Sequence, residues 1–312
     1  MSRHKEGAVA AAPTRAQSAL VEEALAIEAE SAREAGTLGY MARAMVQATM
    51  PHRRVEDVHH VRTNGDYTLT MVATNPAIGL PYGAVPRLML AWIGAETMRT
   101  GERELVLGES MSAFMAQLGM VPTGGRWGSI TRLKDQSMRL FSCAIACSYM
   151  NESRLDTGPD PLRIGRAQLW WDTKRPEQGS LFRSTLTLSE AFHREIVEHP
   201  VPLDMRVLQA LRKSPLALDV YSWTVYRIHT LNRSGRPSTT VPWETLRLQF
   251  GAGYAEGPQG LRDFRKAFLR ELVKVRTFYP EALIGEAASG LRLERSPEHL
   301  PQRPRRSIGS CG

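Results

Sequence analysis

Gly124, Gly125 and Gly128 stand immediately ahead of an amphipathic, basic stretch, and that junction constrains the fold more than any other feature of the 312-residue sequence. Three glycines so close together do not persist inside a helix, so the segment Thr123–Gly128 is a turn, and a helix begins near Ser129. From there Ile130, Leu133, Leu140 and Phe141 recur at helical spacing, while Arg132, Gln136 and Arg139 form a second stripe. One side of such a helix faces a core, and the other can face phosphate. A charged stripe is by default a solvated face. Context favours more, because Ser110–Leu118, a short amphipathic helix closing on Gly119, comes directly before the turn. Helix, glycine turn and basic helix is the order of a helix-turn-helix, whose second helix enters the major groove of DNA.

Charge agrees with that direction. The chain carries a formal net charge of +8 and a pI near 9.7. The excess comes from arginine-rich segments spread along the chain, which points to a polyanionic partner. Three cysteines cannot build a disulfide framework and fit a reducing compartment. Cys143 and Cys147 continue the apolar face of the basic helix, which is expected to run to about Cys147, and read as core residues. Ala8–Ala12 is too short for the apolar region of a signal peptide, and Leu80–Met98 is broken by Pro81, Pro86, Arg87 and Glu96. The expectation is a cytoplasmic protein without a membrane partner.

Length allows two domains of ~150 residues. Residues 1–36, where glutamates outnumber basic residues, form a locally acidic, flexible arm with a helix over Gln17–Glu34. Tyr40–Met50 is expected to be a helix ended by Pro51. Val58–Thr63 and Asp66–Val72 flank Asn64-Gly65 as a β-hairpin. That hairpin is either a self-association surface or a lid on the core. Pro86–Thr100 gives a core helix, Glu104–Gly108 a strand, and Leu162–Trp171 with Gly179–Leu188 a β-ribbon. Phe192–Val197 adds a short helix. Helix, strand, helix, helix and ribbon is the order of a winged helix.

His199-Pro200-Val201-Pro202 is expected to be the interdomain link. Beyond it, Leu203–Leu211 and Leu216–Leu231 are helices, Arg233 to Pro237 a basic loop, Thr239–Val241 a strand, and Pro242–Phe250 a helix. A Gly-rich turn leads to a second basic helix from Leu261 to Arg276, and Thr277–Ile284 with Leu291–Arg295 make a hairpin. When Met111 is laid on Trp243, Leu118 falls on Phe250, Gly119 on Gly251 and Gly128 on Gly260. After a one-residue shift Leu133 falls on Phe264 and Arg139 on Arg270, as expected of a diverged structural repeat. The fold class is therefore α+β, mostly helical. It comprises two tandem winged-helix domains, 37–198 and 203–296, with an N-terminal helix and hairpin extension and a basic tail, 297–312.

Candidate DNA contacts are Arg126, Arg132, Lys134, Gln136 and Arg139 in the first unit. In the second they are Arg262, Arg265, Lys266, Arg270 and Lys274, with Arg233 and Arg236 in the loop. Arginine can pair bidentately with guanine edges, and lysine or arginine with phosphates. No phosphate-binding glycine loop with its lysine occurs, and no His-Glu-x-x-His. His59 and His60 are adjacent, so on a strand they point to opposite faces and cannot act as a metal pair. The expectation is a binding protein without cofactor, metal or catalytic residues.

Several ordered motifs carry a resemblance. They are Leu80-Pro81-Tyr82-Gly83-x-x-Pro86-Arg87, Leu107-Gly108, Phe114 with Leu118-Gly119, Thr123-Gly124-Gly125 with Gly128, and Gln136 with Arg139-Leu140-Phe141. Ser214-Pro215-Leu216-Ala217-Leu218-Asp219-x-Tyr221, Gln249-Phe250-Gly251-x-x-Tyr254, Tyr279-Pro280 and Gly290-Leu291 complete them. From about Gly39 to Pro297 the chain resembles plasmid-encoded RepA replication initiators. The resemblance implies binding to repeated sites in double-stranded origin DNA, opening of the adjacent duplex and recruitment of host replication proteins. It also implies a homodimer as one functional state. A winged-helix transcriptional regulator is the alternative. A DNA-processing enzyme is disfavoured by the missing carboxylate and histidine clusters.

Overall fold

The computed structural model of the chain describes residues 14–28, 30–151, 154–156, 162–179, 183–251 and 253–300. The tail from 301, Cys311 and the first 13 residues lie outside the described residues. Helix α1 (Arg15–Glu28) lies against the later helices Met205–Leu211 and Gly257–Phe278, and Leu20, Ala24 and Ile27, at helical spacing, pack on the core.

Residues expected as one helix from Tyr40 divide into strand β1 (Leu38–Ala42) and the short helix α2 (Arg43–Gln47). The hairpin forms, with β2 (His59–Asn64) paired to β3 (Tyr67–Ala73), but its two-residue turn is Gly65-Asp66, one residue later than expected, with Gly65 at φ +60. Next come α3 (Ala84–Thr100), β4 (Glu104–Val106), α4 (Met111–Gln117) and α5 (Ser129–Phe141). The turn before α5 is sewn shut by reciprocal bonds, Ser129 N to Thr123 Oγ1 and Thr123 N to Ser129 Oγ, both 2.9 Å. A Cβ on Gly128 would sit 2.2 Å from the Thr123 carbonyl oxygen, so only glycine lets the helix start this close to the turn. Gly260, aligned with it in the repeat, is as crowded, with 1.7 Å to the Ala255 oxygen, but lies inside the helix Gly257–Phe278, which starts ahead of the expected Leu261.

Helix α5 stops at Phe141 rather than Cys147. Cys143 begins β5 (Cys143–Asn151), which pairs with β3 from Cys143↔Ala73 to Tyr149↔Tyr67. Burial there alternates, with Cys143 and Ile145 inside, so a waiting strand edge overrides a local sequence that a helix would also accept. After β6 (Arg154–Asp156) and β7 (Leu162–Arg163), β8 (Gly165–Gln168) and β9 (Thr185–Leu188) join β4 in a three-stranded sheet of order β4-β9-β8.

Helix α6 (Glu190–Glu198) leads into β10 (Pro200–Asp204), which corrects the reading of this segment as a link. It pairs antiparallel with β1, and Val201 and Leu203 are buried. Pro200 and Pro202 share one parity, so their missing N–H groups both fall on the side away from β1. Helices α7 (Met205–Leu211) and α8 (Pro215–Arg233) follow, then β11 (Ser238–Pro242), α9 (Trp243–Phe250), α10 (Gly257–Phe278), β12 (Ile284–Ala287) and β13 (Gly290–Glu294). This last sheet has the order β11-β13-β12. The structure is thus mixed α+β with several small sheets. Two of these sheets share one arrangement, first strand, third strand, second strand, with one helix ahead of the first strand and two after it, and in the earlier sheet β5, β6 and β7 also come before the second strand.

One buried cluster runs through both halves. At its centre Arg87 of α3, 2% exposed, donates to Asp219 of α8 through Nε and Nη2, both at 2.6 Å. Its remaining donors reach the Gly83 oxygen at 2.6 Å, the Met50 oxygen at 2.7 Å and the Pro51 oxygen at 3.3 Å. His52 Nε2 meets Asp219 Oδ2 at 2.7 Å. Burial alone would raise the Asp219 carboxyl, but the Arg87 charge and these hydrogen bonds hold it below the ordinary value. Close by, Gln249 of α9 donates to the Gln47 oxygen at 2.8 Å, and Thr49 donates to the Gln249 oxygen at 3.0 Å. The Thr49 oxygen in turn takes a bond from His60, which burial pushes down to about 4 and keeps neutral.

A buried charge stripped of its partner costs about 3–5 kcal/mol. Asp219→Ala is therefore expected to lower the unfolding free energy by that amount in urea titration, and the double variant Arg87→Met, Asp219→Leu to recover much of it. An unchanged midpoint for Asp219→Ala would show that the pair does not join the halves.

Candidate nucleic-acid interface

Helix α5 presents a narrower basic face than its sequence suggests. Arg126 lies exposed in the turn with its guanidinium 5.1 Å from the centre of the Trp127 ring, itself 81% exposed. Arg132 is exposed and donates to the Trp127 oxygen at 3.3 Å, and Lys134 is exposed.

Gln136 and Arg139, expected on that face, are instead buried. Gln136 Oε1 accepts from Tyr82 N at 2.9 Å. Arg139 holds Asp135 at 2.9 Å, donates to the Leu80 oxygen at 3.4 Å and lies 5.3 Å from the centre of the Tyr82 ring. Both side chains fasten the segment that opens α3. Helical periodicity located the apolar stripe correctly, since Ile130, Leu133 and Leu140 are buried, but could not show that the inward face extends past it.

Helix α10 matches its reading more closely. Phe264, Phe268, Leu272 and Val275 are buried, and Arg262, Arg265, Lys266 and Arg270 are exposed. Several of these cations have local partners. Arg265 pairs with Glu286 of β12 at 2.6 Å and lies 5.4 Å from the centre of the Trp243 ring. Arg262 donates to Gln259 Oε1 at 2.7 Å. Arg270 and the half-buried Lys274 flank Glu271 at 3.0 and 2.6 Å. Burial would raise the Glu271 carboxyl, yet hydrogen bonds from Lys274, Arg270 and Ser214 hold it below the usual range. Lys266 has no ion-pair or hydrogen-bond partner among the described residues. Arg233 and Arg236 are exposed at the end of α8 and in the loop before β11.

Sequence reasoning missed Arg53, Arg54, Arg212 and Lys213, which line a cleft beside α5. Their only signal was two basic dipeptides, one following Pro51-His52 and one preceding Ser214-Pro215. Among the described residues no group of three or more His, Cys, Asp or Glu could hold a metal ion. No described helix is long and apolar enough to cross a membrane.

The family model of plasmid encoded RepA protein matches residues 80–245, more than half of the chain, and the chain belongs to that family. The matched stretch starts at Leu80 and contains Arg87, Asp219 and α5, whereas α10 lies beyond it. No curated protein matches the chain in sequence. Among solved structures, a selenomethionine-derivative crystal structure of domains 2 and 3 of RctB is similar in fold. Its TM-score is 0.52 at 11% identity, covering 81% of this chain and 96% of that one. A second crystal structure of RctB domains 2–3 gives a TM-score of 0.49 at 12% identity, covering 81% and 97%.

Removing a buried hydrogen-bonding side chain costs about 1–3 kcal/mol, whereas exposed substitutions stay within about 0.5 kcal/mol. Gln136→Ala and Arg139→Ala are expected to shift the thermal unfolding midpoint downward, and Lys134→Ala to leave it in place. Equal midpoints for all three would contradict the inward placement.

Proposed function

We propose that the protein initiates plasmid replication by binding repeated sites in double-stranded origin DNA through two winged helices. The observation that carries this reading is the repeated arrangement. The order α3, β4, α4, α5, β8, β9, with β5, β6 and β7 inserted between α5 and β8, and the order α8, β11, α9, α10, β12, β13 each end in a sheet that runs first, third, second. That is the winged-helix order, in which the third helix enters the major groove and the strand pair forms the wing. Membership of the plasmid-encoded RepA family supports the replication role.

In this reading units 37–198 and 203–296 are the two winged helices. Helix α5 approaches DNA with Arg126, Arg132 and Lys134, and α10 with Arg262, Arg265, Lys266, Arg270 and Lys274. Arg233 and Arg236 contact phosphate from the loop. Gln136 and Arg139 act from inside, by holding the segment that opens α3. Arg265 is held in one geometry by Glu286 and Trp243, which limits the ordering cost when it meets a base edge. The β2–β3 hairpin provides the self-association surface, and duplex opening with recruitment of host replication proteins follows binding.

A bidentate arginine–guanine contact contributes about 1–3 kcal/mol of discrimination, while phosphate contacts weaken all sequences alike. With cognate and scrambled duplexes at one salt concentration, Arg265→Ala is expected to narrow the affinity ratio by roughly tenfold. If neither Arg265→Ala nor Arg132→Ala alters the ratio, the recognition-helix reading fails. A plasmid whose only origin is this gene with its flanking repeats should be maintained. Failure of maintenance with repression of the flanking promoter intact would make the protein a regulator instead.

A further inference from the structure

Between α3, α5 and α8 lies an open cleft of about 720 Å³ lined by His52, Arg53, Arg54, Arg132, Arg212 and Lys213, with no carboxylate among its lining residues. His52 is bonded to Asp219 and burial lowers its basicity, but little on the protein neutralises the five arginine and lysine side chains. Arg54 has a contact to Glu56 at 3.3 Å, with both side chains largely in water, where such a pair is weak. Arg212 donates to the Gln209 oxygen at 2.6 Å, leaving its charge without a counterion. Arg53 and Lys213 have no side-chain partner among the described residues. Two helix N-termini border the same space. Helix α3 starts after Gly83 without a side-chain cap and presents N–H groups and the positive end of a helix dipole, whereas at the start of α5 the Ser129 and Ile130 N–H groups are taken by Thr123 and only the dipole remains.

The cleft also connects the two basic helices. Arg132 belongs to both the cleft and the exposed face of α5. On the other side, Tyr254 packs edge-on against Phe264 of α10, with ring centres 5.5 Å apart. Burial raises the Tyr254 hydroxyl, while the charges of Arg270 of α10 and Arg53 of the cleft both pull it down. Pro215 lines the cleft beside Ser214, which hydrogen-bonds Glu271, the neighbour of Arg270. A path of positive charge thus runs from α5 through the cleft to α10.

We propose that this cleft is a phosphate site that grips the duplex backbone between the two recognition helices. The proposal rests on the DNA-binding reading above and adds contacts from Arg53, Arg54, Arg212 and Lys213, which no recognition helix supplies. Phosphate is the ligand chemistry because five cations and the uncapped start of α3 converge with no carboxylate among the lining residues. The source is duplex backbone rather than a free nucleotide because the cleft is open and continuous with both basic faces. Such contacts fix register and orientation without reading sequence.

The test is fluorescence-anisotropy titration of cognate and scrambled duplexes over a salt series, with wild type, Arg53→Gln, Arg212→Gln, Lys213→Gln and the triple variant. Each single substitution is expected to flatten the slope of log affinity against log salt by about 0.9. The triple variant should weaken both duplexes alike and leave their ratio unchanged. If the triple variant fails to fold, as judged by its urea midpoint, the single variants carry the same test. A steep wild-type slope retained by the variants overturns the cleft site alone. A flat wild-type slope overturns the DNA-binding reading and the cleft with it. A parallel titration of DNA-free protein with ATP and with pyrophosphate separates the sources. Binding of either that is lost in the variants, while their DNA slopes stay unchanged, assigns the cleft to a free phosphate ligand and overturns the backbone assignment.

Discussion

The buried pair of Arg87 and Asp219 is the contact on which the arrangement of the two halves depends. Two charges withdrawn from water cost several kcal/mol each unless every donor and lone pair finds a partner. Here the guanidinium fork meets both carboxylate oxygens, its other N–H groups reach the Gly83, Pro51 and Met50 oxygens, and His52 completes the carboxylate. Such a set is satisfied in one relative position of α3 and α8 only. Since α3 and α8 are the first helices of the two repeated arrangements, fixing them fixes where α5 and α10 can lie.

The polar residues that make the family motifs recognisable converge on this junction. Arg87, Asp219 and Gln249 bind across it, Tyr221 takes a bond from Asp204 N, and Gln136 with Arg139 holds the segment that opens α3. The motifs therefore describe how the scaffold is locked. The cations offered for phosphate, among them Arg132, Lys134, Lys266, Arg53 and Lys213, mostly lie outside them.

Much of the fold was legible in the sequence because local physics dictated it. Asn64-Gly65 between alternating runs gave the hairpin, and glycines at 119, 128, 251 and 260 exposed the repeat. The Phe264, Phe268, Leu272 and Val275 seam gave the buried side of α10. What was not legible depended on distant partners. The strand of residues 200–204 was hidden by its prolines, which are tolerated only because β1 lies on the side where no N–H is missing. Residues after Phe141 became a strand because β3 offered an edge. For the candidate site, periodicity identified the basic helices, but a polar side chain at the margin of a stripe looks the same whether it meets water or a carbonyl 59 residues away, as Arg139 does with Leu80. The cleft arginines escaped because their neighbours in space come from segments far apart in sequence.

In the proposed reading, two basic helices held on one rigid frame engage one continuous stretch of duplex. Its most direct test is the spacing of the two DNA segments that footprinting assigns to α5 and α10. Inserting about 5 base pairs between them, half a helical turn, rotates one segment to the opposite side of the duplex. The account predicts that affinity then falls to the level of scrambled DNA. Affinity unchanged by the insertion would contradict it, because the two helices would then be moving independently.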